Sequence, residues 1–425
     1  MMNRVLVHES LSGEVTIPSS KSVAHRLMIC AALGDRDIRI SCKGAGDDIA
    51  ATADCLRALG ADISIKEDYI EISPMKRGKN SSECSVLNCR ESGSTLRFML
   101  PVAAALGANA SFYGEGRLSK RPLSPLYDEM ISHGVELSEA GKFPLNCKGL
   151  LSGGKYTIDA SVSSQFITGL LMALPVVEED SELILTGKIE SAPYIAITLR
   201  TLELFGIEIK HTGSGYYIRG GQKYTTPAQL SAEGDWSGAA FWIVAGCIGK
   251  SPVICRGVNY NDSVQGDKKV VDILKEMGAK IEIMENSIIA YPSEMHGIET
   301  DCSDIPDLVP ILSVAASQAE SASTFNGIKR LRLKESDRIV STMNMLQAFG
   351  IQSTATDNSI TIQPGKAIAG CSIDSAADHR IAASAIVMSS IAKGSCLINN
   401  IECISKSYPD FCKDFINLGG KLEIL

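Results

Sequence analysis

One pattern of apolar and polar residues recurs along the chain: an apolar helical stretch, a glycine, and then alternating residues typical of a strand. The closing glycines are separated by 74, 72, 72, 72 and 69 residues, and they are Gly60, Gly134, Gly206, Gly278, Gly350 and Gly419. Glycine suits the left-handed conformation that follows a helix, where a β-carbon is costly. One such glycine is common, but six at nearly equal spacing predict six repeated units.

Predicted helix starts recur with the same period, each marked by small, hydroxyl-bearing or acidic residues before an apolar stretch. They follow one another at steps of 72, 71, 72, 71 and 72 residues and lie near Lys21, Gly93, Ser164, Trp236, Asp307 and His379. A helix start exposes free N–H groups and a partial positive charge, which attract phosphate and carboxylate groups. If the repeats are arranged symmetrically, all six starts can point into one anion-binding cleft.

The repeat length predicts the fold class and the domain organisation. A unit of about 70 residues has room for two helices and several strands, so we expect an α/β (α+β) protein. Six units predict two domains of three repeats, joined by two chain crossings near Pro18–Ser20 and Glu233–Asp235. One domain is expected to comprise residues 1–19 and 235–425, the other residues 20–234, with the active site in the cleft between them. The N-terminal strand then belongs with the C-terminal half.

Composition and charge narrow the class of protein. The chain is 45% hydrophobic and 21% charged, as in globular proteins. Its formal net charge of −8 repels polyanions, which argues against nucleic acid as a partner. The most apolar windows, around Phe98–Leu106 and Ala239–Ile248, are shorter than a bilayer span, and no apolar core of signal-peptide length follows the first residues. We therefore expect a cytoplasmic protein with no membrane partner.

The cysteines and histidines do not form a metal-binding pattern. The thirteen cysteines are scattered without a Cys-x-x-Cys motif, and none of the six histidines pairs with another at ligand spacing. We expect reduced, mostly buried thiols and no metal. No glycine-rich nucleotide loop occurs either, so no cofactor is predicted. An anionic ligand of this acidic protein would need a local cluster of cations.

Two candidate cation sites lie in the first third of the chain. Lys21 begins a predicted helix, with Ser22 and Arg26 on one face four residues apart. A capped, solvated helix explains this segment equally well. Arg121, held in a polar loop before Pro122, suits bidentate binding of carboxylate or phosphate, although a surface arginine is the commoner case.

The segment Lys334-Glu335-Ser336-Asp337-Arg338 is the most unusual stretch of the chain. Lys334 and Arg338 are predicted to share a helical face, with Glu335 beside them. Nearby cations keep a carboxylate ionised, so Glu335 can become a general acid only when anionic substrates offset those cations. Taken alone, the segment is better interpreted as a surface ion-pair network.

Further charged residues follow the same period. Asp307 is flanked by apolar residues, and it is either a helix N-cap or a base whose pKa is raised by apolar surroundings. Asp378, His379 and Arg380 begin a predicted helix, and Lys406 completes the set. Because no Ser or Cys elbow accompanies His379, we interpret it as structural or orienting.

These motifs together resemble the enolpyruvyl transferases, and within that family its shikimate branch. The resemblance spans Ser19 to Asp410 and is carried by Ser19-Ser20-Lys21-Ser22 with Arg26, Ser163-Ser164-Gln165, Ser191 with Pro193-Tyr194, Lys334-Glu335-Ser336-Asp337-Arg338, Asp378-His379-Arg380 and Lys406-Ser407-Tyr408-Pro409-Asp410. It implies the two-domain enolpyruvyl transferase fold, with three β/α repeats per domain and helices inside a ring of sheets. It also implies transfer of the enolpyruvyl group of phosphoenolpyruvate to the 5-hydroxyl of shikimate-3-phosphate, with release of phosphate.

The resemblance implies a role for each matched residue. Shikimate-3-phosphate would be bound by Lys21, Ser22, Arg26, Ser163, Ser164, Gln165, Ser191, Asp307 and Lys334. Phosphoenolpyruvate would be bound by Lys21, Gly93, Arg121, Gln165, Arg338, Arg380 and Lys406. In the implied addition–elimination mechanism the catalytic residues are Asp307, Glu335 and Lys21. Asp307 accepts the proton of the 5-hydroxyl, and Glu335 protonates the methylene carbon to give a tetrahedral ketal.

Three positions depart from the commoner family pattern. Glu91 stands where many members carry Asn, and we expect it to point away from phosphoenolpyruvate or to pair with a cation such as Arg97. Arg330 stands where many members carry Asn near the shikimate phosphate, and an arginine there can substitute for it. Phe98 replaces a small or imino residue.

Two alternative functions remain. The sister enzyme that transfers enolpyruvyl to UDP-N-acetylglucosamine usually has Lys-Asn where this chain has Lys21-Ser22. A binding protein for a phosphorylated metabolite would explain the cations, but binding alone does not require both Asp307 and Glu335. The expected partners are the two small-molecule substrates, and we expect a monomer.

Overall fold

The structure of the chain is a computed structural model that describes residues 2–7, 11–75, 84–367, 371–392 and 394–424. Residues 1, 8–10, 76–83, 368–370, 393 and 425 fall inside the two expected domains but lie outside the described residues. The described α-helices are α1 (Lys21–Ala32), α2 (Asp47–Ala58), α3 (Gly93–Ala105), α4 (Leu126–Ser132), α5 (Ser164–Ala173), α6 (Ala192–Leu204), α7 (Trp236–Ile248), α8 (Lys269–Glu276), α9 (Val309–Ser317), α10 (Arg338–Ala348), α11 (His379–Ser389) and α12 (Phe411–Asn417).

The strands are short and follow the helices in a regular order. The first half of the chain contains β1 (Met2–Val7), β2 (Gly13–Thr16), β3 (Ile38–Ser41), β4 (Asp62–Ile65), β5 (Tyr69–Ser73), β6 (Ser85–Asn88), β7 (Ala110–Tyr113), β8 (Val135–Leu137), β9 (Leu145–Gly149), β10 (Gly154–Asp159), β11 (Ser181–Thr186) and β12 (Ile209–Thr212). The second half contains β13 (Gly215–Ile218), β14 (Leu230–Ser231), β15 (Val253–Arg256), β16 (Lys280–Met284), β17 (Ser287–Tyr291), β18 (Glu299–Asp301), β19 (Ser323–Asn326), β20 (Ser353–Ala355), β21 (Ser359–Ile362), β22 (Ser372–Ile373), β23 (Cys396–Asn399) and β24 (Gly420–Ile424).

The chain divides into two compact units. We call Ser19–Ala232 the middle unit, and Met1–Pro18 together with Glu233–Leu425 the terminal unit. The sequence repeats predict these divisions at residues 19 and 234. Each unit is described below by itself.

Each unit contains three four-stranded sheets of one topology. The middle unit has the strand orders β14-β3-β5-β4, β6-β7-β9-β8 and β10-β11-β13-β12, and the terminal unit has β2-β15-β17-β16, β18-β19-β21-β20 and β22-β23-β1-β24. In all six sheets the first two strands are parallel and the remaining neighbours are antiparallel. A parallel pair needs a crossover connection, which an α-helix supplies in repeats such as β6-α3-β7. The predicted α/β fold of six repeated units is confirmed.

Three sheets are completed by strands that are distant in sequence. In the middle unit β14 pairs in parallel with β3, placing Leu230 opposite Ile40. In the terminal unit β2 pairs in parallel with β15, and β1 lies antiparallel between β23 and β24. In these three sheets, backbone N–H and C=O groups therefore find partners on a strand that is distant in sequence.

Six helices form the centres of the two units. They are α1, α3 and α5 in the middle unit and α7, α9 and α11 in the terminal unit, and most of their residues are buried. A helix that is apolar on all sides is stable only when it is surrounded by protein. In the middle unit α3 packs against α5, and in the terminal unit α7, α9 and α11 pack on one another. The other helices bury a single face, as α8 does with Val270, Val271, Ile273 and Leu274.

The periodic landmarks in the sequence correspond to real elements. Five of the six predicted helix starts are the first residues of α1, α3, α5, α7 and α11. At the sixth, Asp307, the α-helix begins two residues later than predicted, because Asp307 lies in a 3₁₀ turn from Pro306 to Leu308 and α9 begins at Val309. The six closing glycines all have positive φ, between 72° and 105°, as predicted.

The thirteen cysteines all lie in the described residues, form no disulfide, and are buried in eleven cases, as predicted. Within the part of the chain that the structure describes, no helix combines the length and the apolar character needed to cross a membrane.

Replacing Gly60 by alanine should destabilise the protein by about 1–2 kcal/mol, because alanine pays that cost in a left-handed conformation. Gly60 has φ +102°, and a β-carbon there would meet no atom within 4 Å, so only backbone strain is tested. The measurement is the free energy of unfolding from denaturant titration. The matched control is Gly213→Ala, where a β-carbon also meets nothing within 4 Å and φ lies outside the left-handed range. Equal stability of the two variants would contradict the prediction.

Candidate functional site

Arg338 organises a buried group of charges in the terminal unit. Its side chain is only 1% exposed. Nη1 donates to Asp307 Oδ1 at 2.7 Å, Nη2 to Glu335 Oε2 at 2.7 Å, and Nε to Asp378 Oδ2 at 2.8 Å. Burial lowers the pKa of Arg338, but the three carboxylates Asp378, Glu335 and Asp307 raise it well above its usual value. We call Asp307, Lys334, Glu335, Arg338, Asp378 and Arg380 the arginine–carboxylate cluster.

The local structure around Arg338 differs from the prediction. Asp337 caps α10 by accepting a hydrogen bond from Val340 N at 3.3 Å, so the helix begins only at Arg338. Lys334 lies before the helix in an extended conformation, at the end of a 3₁₀ turn over Lys329–Leu333. The predicted shared helical face of Lys334 and Arg338 is therefore wrong. The predicted surface ion-pair network is also wrong, because Arg338 and Asp378 are buried.

Asp307 is the point at which three cations meet. Lys334 Nζ lies 3.1 Å and Arg338 Nη1 2.7 Å from its Oδ1, and Arg380 Nη2 lies 3.5 Å from its Oδ2. Burial raises the pKa of Asp307, but Lys334, Arg338 and Arg380 together lower it well below the usual value. Both sequence interpretations of Asp307 are therefore wrong: its side chain caps no helix, and its pKa is not raised.

The start of α11 supports the cluster from a second side. Asp378 caps this helix by accepting a hydrogen bond from Arg380 N at 2.9 Å, and it also accepts one from Ser336 Oγ at 3.0 Å. Arg380 is buried, and its guanidinium lies over the Phe241 ring at 5.9 Å from the centroid. Lys406 Nζ lies 3.4 Å from the carbonyl oxygen of Ala377, the residue before Asp378. His379 is also buried beside Asp378, with Nδ1 3.9 Å from Asp378 Oδ1.

Asp267 is a charged residue of this region that the sequence analysis missed. It lies in the turn Gly266–Lys268, is 3% exposed, and accepts a hydrogen bond from Ser237 Oγ at the start of α7. Its Oδ1 is buried without a hydrogen-bond partner among the described residues. Burial and the negative charge of Asp307 raise the pKa of Asp267 to about 7. No repeat landmark in the sequence marks Asp267 itself. The nearest signal was the predicted helix start at Trp236, next to the Ser237 that donates to Asp267.

Arg26 in the middle unit has a different environment from Arg338. Nε donates to Thr198 Oγ1 at 2.8 Å, Nη1 to the carbonyl of Ser22 at 2.6 Å, and Nη2 to Thr168 Oγ1 at 3.2 Å and the carbonyl of Tyr194 at 3.0 Å. The predicted common face of Ser22 and Arg26 is confirmed. Burial lowers the pKa of Arg26 to about 10, so it stays charged at neutral pH. Among the described residues no carboxylate forms an ion pair with Arg26, and its acceptors are neutral. A buried cation of this kind is suited to an anionic ligand.

Lys21 begins α1 and is oriented by the next helix. Its Nζ lies 2.9 Å from Asp48 Oδ2 in the first turn of α2, and both side chains are about one-sixth exposed, at 17% and 16%. The ion pair holds the ammonium group at the start of α1, beside Ser22.

The start of α5 is bound to α3. Ser163 caps α5 by accepting a hydrogen bond from Gln165 N at 3.3 Å, and Ser164 is the buried first residue of the helix. Gln165 Oε1 accepts a hydrogen bond from Arg97 Nη1 at 2.6 Å, and its Nε2 donates to Ser94 Oγ at 2.8 Å. The side chain of Gln165 is thereby fixed between two helix starts. Ser191, also buried, precedes α6 in a left-handed conformation with φ 58°.

Gly93 and Arg121 are in direct contact. A β-carbon at Gly93 would lie 2.6 Å from Arg121 Nη1, so the guanidinium packs against the glycine at the start of α3. The adjacent Glu91 Oε1 accepts a hydrogen bond from Arg117 N at 3.3 Å and lies against Gly116. The carboxylate at this unusual position thus contacts the loop that leads to Arg121.

The other two departures from the family pattern also have defined positions. Phe98 is a buried residue of α3, with its ring centroid 5.0 Å from the guanidinium carbon of Arg26. Arg330 lies in the 3₁₀ turn that precedes Lys334.

The structure thus brings the matched residues together in groups within each unit. Asp307, Lys334, Glu335, Arg338 and Arg380 meet in the terminal unit, with Lys406 near the start of α11. In the middle unit Lys21, Ser22 and Arg26 share α1, while Gln165 joins the starts of α5 and α3. Cations, hydroxyl groups and helix N-termini of this kind can bind phosphate and carboxylate groups, and carboxylates among them can transfer protons.

Comparison with known proteins identifies a common family. The family described as EPSP synthase (3-phosphoshikimate 1-carboxyvinyltransferase) matches residues 7–415. The chain is similar to the 3-phosphoshikimate 1-carboxyvinyltransferases of Clostridium kluyveri, at 40% identity over 97% of this chain and 96% of that one, and of Clostridium beijerinckii, at 38% over 100% and 99%. It superposes on EPSP synthase from Acinetobacter baumannii over all of both chains, with TM-score 0.84 and 25% identity. The enolpyruvyl transferase NikO from Streptomyces tendae shares the fold, with TM-score 0.78 and 17% identity over 99% of this chain and 98% of that one.

Asp267→Asn should flatten the dependence of stability on pH. Because the pKa of Asp267 is raised from 3.8 to about 7 in the folded protein, folding takes up a proton between these values. The stability that this group contributes is complete below about pH 4 and is lost as pH rises through 7. The free energy of unfolding should therefore fall between pH 5 and pH 8.5 more in the wild type than in Asp267→Asn, by about 1.4 kcal/mol for each pKa unit crossed.

The measurement is denaturant unfolding of both proteins across that pH range. The control is Asp357→Asn, which removes one formal charge at a side chain that is 96% exposed and should leave the wild-type slope unchanged. If the wild-type and Asp267→Asn curves run parallel, Asp267 does not titrate in this range.

Proposed function

The chain belongs to the EPSP synthase family, and from that membership we propose the residues with which it transfers the enolpyruvyl group of phosphoenolpyruvate to shikimate-3-phosphate. The reaction belongs to the shikimate pathway, and the relatives that carry its name match the chain almost from end to end. The observation that carries the assignment of residues is that Asp307 binds three cations while Glu335 binds one of the same cations, Arg338.

Phosphoenolpyruvate presents a carboxylate and a phosphate, both of which need cationic partners. We assign these groups to Arg338, Arg380 and Lys406 of the terminal unit and to Gly93 and Arg121 of the middle unit. Support comes from the contact between Arg121 and Gly93, which places a guanidinium beside the free N–H groups of α3. The buried guanidinium of Arg380 also offers N–H donors suited to a carboxylate or phosphate.

Shikimate-3-phosphate presents a phosphate, a carboxylate and hydroxyl groups. We assign it to Lys21, Ser22, Arg26, Ser163, Ser164, Gln165 and Ser191, with Asp307 and Lys334 from the terminal unit. The charge of Arg26 supports the assignment, because its described acceptors are neutral. The capped start of α5 adds oriented N–H groups beside Ser163 and Gln165. Gln165 and Lys21 are proposed to contact both substrates.

Asp307 acts as the base of the addition step. Without substrates, the charges of Lys334, Arg338 and Arg380 lower the pKa of Asp307 by more than burial raises it. The carboxylate is then a poor proton acceptor. Anionic substrates that bind these cations offset their charge, so the pKa of Asp307 rises when both substrates are bound. Asp307 then accepts the proton of the 5-hydroxyl while that oxygen forms a bond to C2 of phosphoenolpyruvate.

Glu335 completes the addition and begins the elimination. It donates a proton to the methylene carbon as the double bond of phosphoenolpyruvate accepts the attacking oxygen, which gives a tetrahedral ketal with a methyl group. Glu335 later removes a proton from that methyl group, the bond from C2 to the phosphate oxygen breaks, and phosphate leaves with the bonding electrons. Lys21 and the arginines stabilise the negative charge that develops on the leaving phosphate.

We further propose that the protein acts as a monomer in the cytoplasm. Its substrates are multiply charged metabolites, which do not cross an apolar bilayer unaided.

Phosphate release by the purified protein tests the proposed function. We expect release when phosphoenolpyruvate is supplied with shikimate-3-phosphate, and none when it is supplied with UDP-N-acetylglucosamine. Asp307→Asn and Glu335→Gln should each lower kcat about 10²–10⁴-fold, the usual contribution of one positioned acid or base. Asp357→Asn, at an exposed carboxylate, should keep wild-type activity.

Binding of shikimate-3-phosphate, followed by thermal shift, shows whether the two variants remain folded. Release only with the nucleotide sugar would assign the chain to the sister activity. Saturable binding of both substrates without release by the wild type would instead indicate a metabolite-binding protein.

A further inference from the structure

Helix α2 contributes no residue to the proposed substrate contacts, yet it joins two helix starts that do. The Asp48 carboxylate binds the ammonium group of Lys21 at the start of α1, 2.9 Å away. One turn later, Thr52 contacts His25 on α1 and Thr95 on α3. The main-chain carbonyl of Asp48 also lies 3.4 Å from Thr95 Oγ1. The first two turns of α2 therefore lie between the start of α1 and the start of α3.

Four side chains form a continuous hydrogen-bonded row through this region, which we call the hydroxyl relay. His25 Nδ1 lies 2.7 Å from Thr52 Oγ1, Thr52 Oγ1 lies 2.8 Å from Thr95 Oγ1, and Thr95 Oγ1 lies 2.8 Å from Ser92 Oγ. Ser92 is the N-cap of α3 and accepts a hydrogen bond from Thr95 N at 3.3 Å. All four side chains are buried, with at most 1% exposure.

The hydrogen-bonding capacity of the four groups gives the row a direction. Burial lowers the pKa of His25 to about 3, so its ring is neutral and carries one N–H. Nε2 has no hydrogen-bond partner among the described residues. A proton on Nε2 would leave a buried donor unpaired, whereas a proton on Nδ1 is donated to Thr52. Thr52 then donates to Thr95, and Thr95 donates to Ser92.

The relay connects the proposed sites of the two substrates. Helix α1 carries Lys21, Ser22 and Arg26, which are assigned to shikimate-3-phosphate, and α3 begins at Gly93, assigned to phosphoenolpyruvate. His25 is the residue before Arg26, and Ser92 is the residue before Gly93. Because the protein interior is closely packed, a shift of one helix start is transmitted to the other through such a row.

We propose that Thr52 is a positioning residue, which holds the starts of α1 and α3 in register so that the two substrates are bound in the correct relative arrangement. This role rests on the proposed function. Packing alone would not require a hydroxyl group, because valine has nearly the same shape as threonine. Removing the hydroxyl leaves the buried His25 N–H without an acceptor and Thr95 Oγ1 without the donor that Thr52 provides, and the helix starts must move to compensate.

Steady-state kinetics of Thr52→Val, Thr52→Ser and Thr342→Val test the proposal. Thr342 is the matched control, since it is also a fully buried helical threonine, and its Oγ1 has no hydrogen-bond partner among the described residues. Thr52→Val should raise KM for both substrates about ten-fold, with a smaller change in kcat. An effect of about ten-fold is what leaving one buried polar group without a hydrogen-bond partner typically costs. Thr52→Ser, which keeps the hydroxyl, should restore both KM values to near the wild-type level. Thr342→Val should change neither.

A second measurement examines the hydroxyl relay and does not depend on enzymatic activity. Long-range ¹H–¹⁵N NMR of the histidine rings should show His25 as the neutral Nδ1–H form in the wild type, with its signal identified by its loss in His25→Gln. That signal should shift in Thr52→Val and stay in place in Thr342→Val. If the wild type releases no phosphate, the proposed function fails, and the NMR result still tests the relay.

Two results would overturn the role of Thr52. One is that both KM values in Thr52→Val stay within two-fold of the wild type. The other is that Thr52→Ser is as impaired as Thr52→Val. A His25 ring protonated on Nε2 would contradict the direction of the relay and, with it, the reason for the kinetic effect.

Discussion

The burial of Arg338 among three carboxylates is the constraint on which the arginine–carboxylate cluster depends. Asp307, Glu335 and Asp378 each accept a hydrogen bond from a different nitrogen of this guanidinium, at 2.7–2.8 Å. Removing one partner of such a buried network typically costs about 3–5 kcal/mol, because a charge is left uncompensated. The same interaction joins the turn before α9, the segment before α10 and the cap of α11. It thus places Asp307 and Glu335, the two proposed proton-transfer groups, around one cation.

The middle unit balances its buried charge differently. Arg26 donates to threonine hydroxyls and to carbonyl groups, which satisfy its hydrogen bonds without cancelling its charge. An anionic ligand can therefore supply the missing charge, whereas Arg338 already has its carboxylates. This difference explains how a chain with a net charge of −8 can bind phosphorylated substrates. Local cations and helix starts determine the field at the site, and the overall charge acts only at longer range.

Much of the fold could be predicted because its signals are local. The switch from polar to apolar residues at Lys21 or Gly93 marks a helix start, and Gly60 or Gly278 marks a helix end, within a few residues of sequence. The pKa of Asp307 could not be predicted, because it depends on cations from Lys334, Arg338 and Arg380 that only the tertiary structure brings near. The i,i+4 spacing of Lys334 and Arg338 suggested that both lie on one helix. Asp337 instead caps α10, so the helix begins only at Arg338. Asp267 and Thr52 were missed, because neither belongs to a motif and each acquires its role from neighbours on other elements.

The titration of the Asp307 carboxyl group, with and without substrates, tests the central claim most directly. Infrared spectra of protein labelled with ¹³C-aspartate, with Asp307→Asn to identify the band, report its ionisation in the ligand-free protein and with shikimate-3-phosphate bound. Phosphoenolpyruvate can be added in the Glu335→Gln background, in which turnover is slow. In the ligand-free protein we expect the pKa of Asp307 to lie well below the usual value for an aspartate. We expect that pKa to rise as each anion binds. A ligand-free pKa at or above the usual value, or one that substrates leave unchanged, would contradict the control of this base by its three cations.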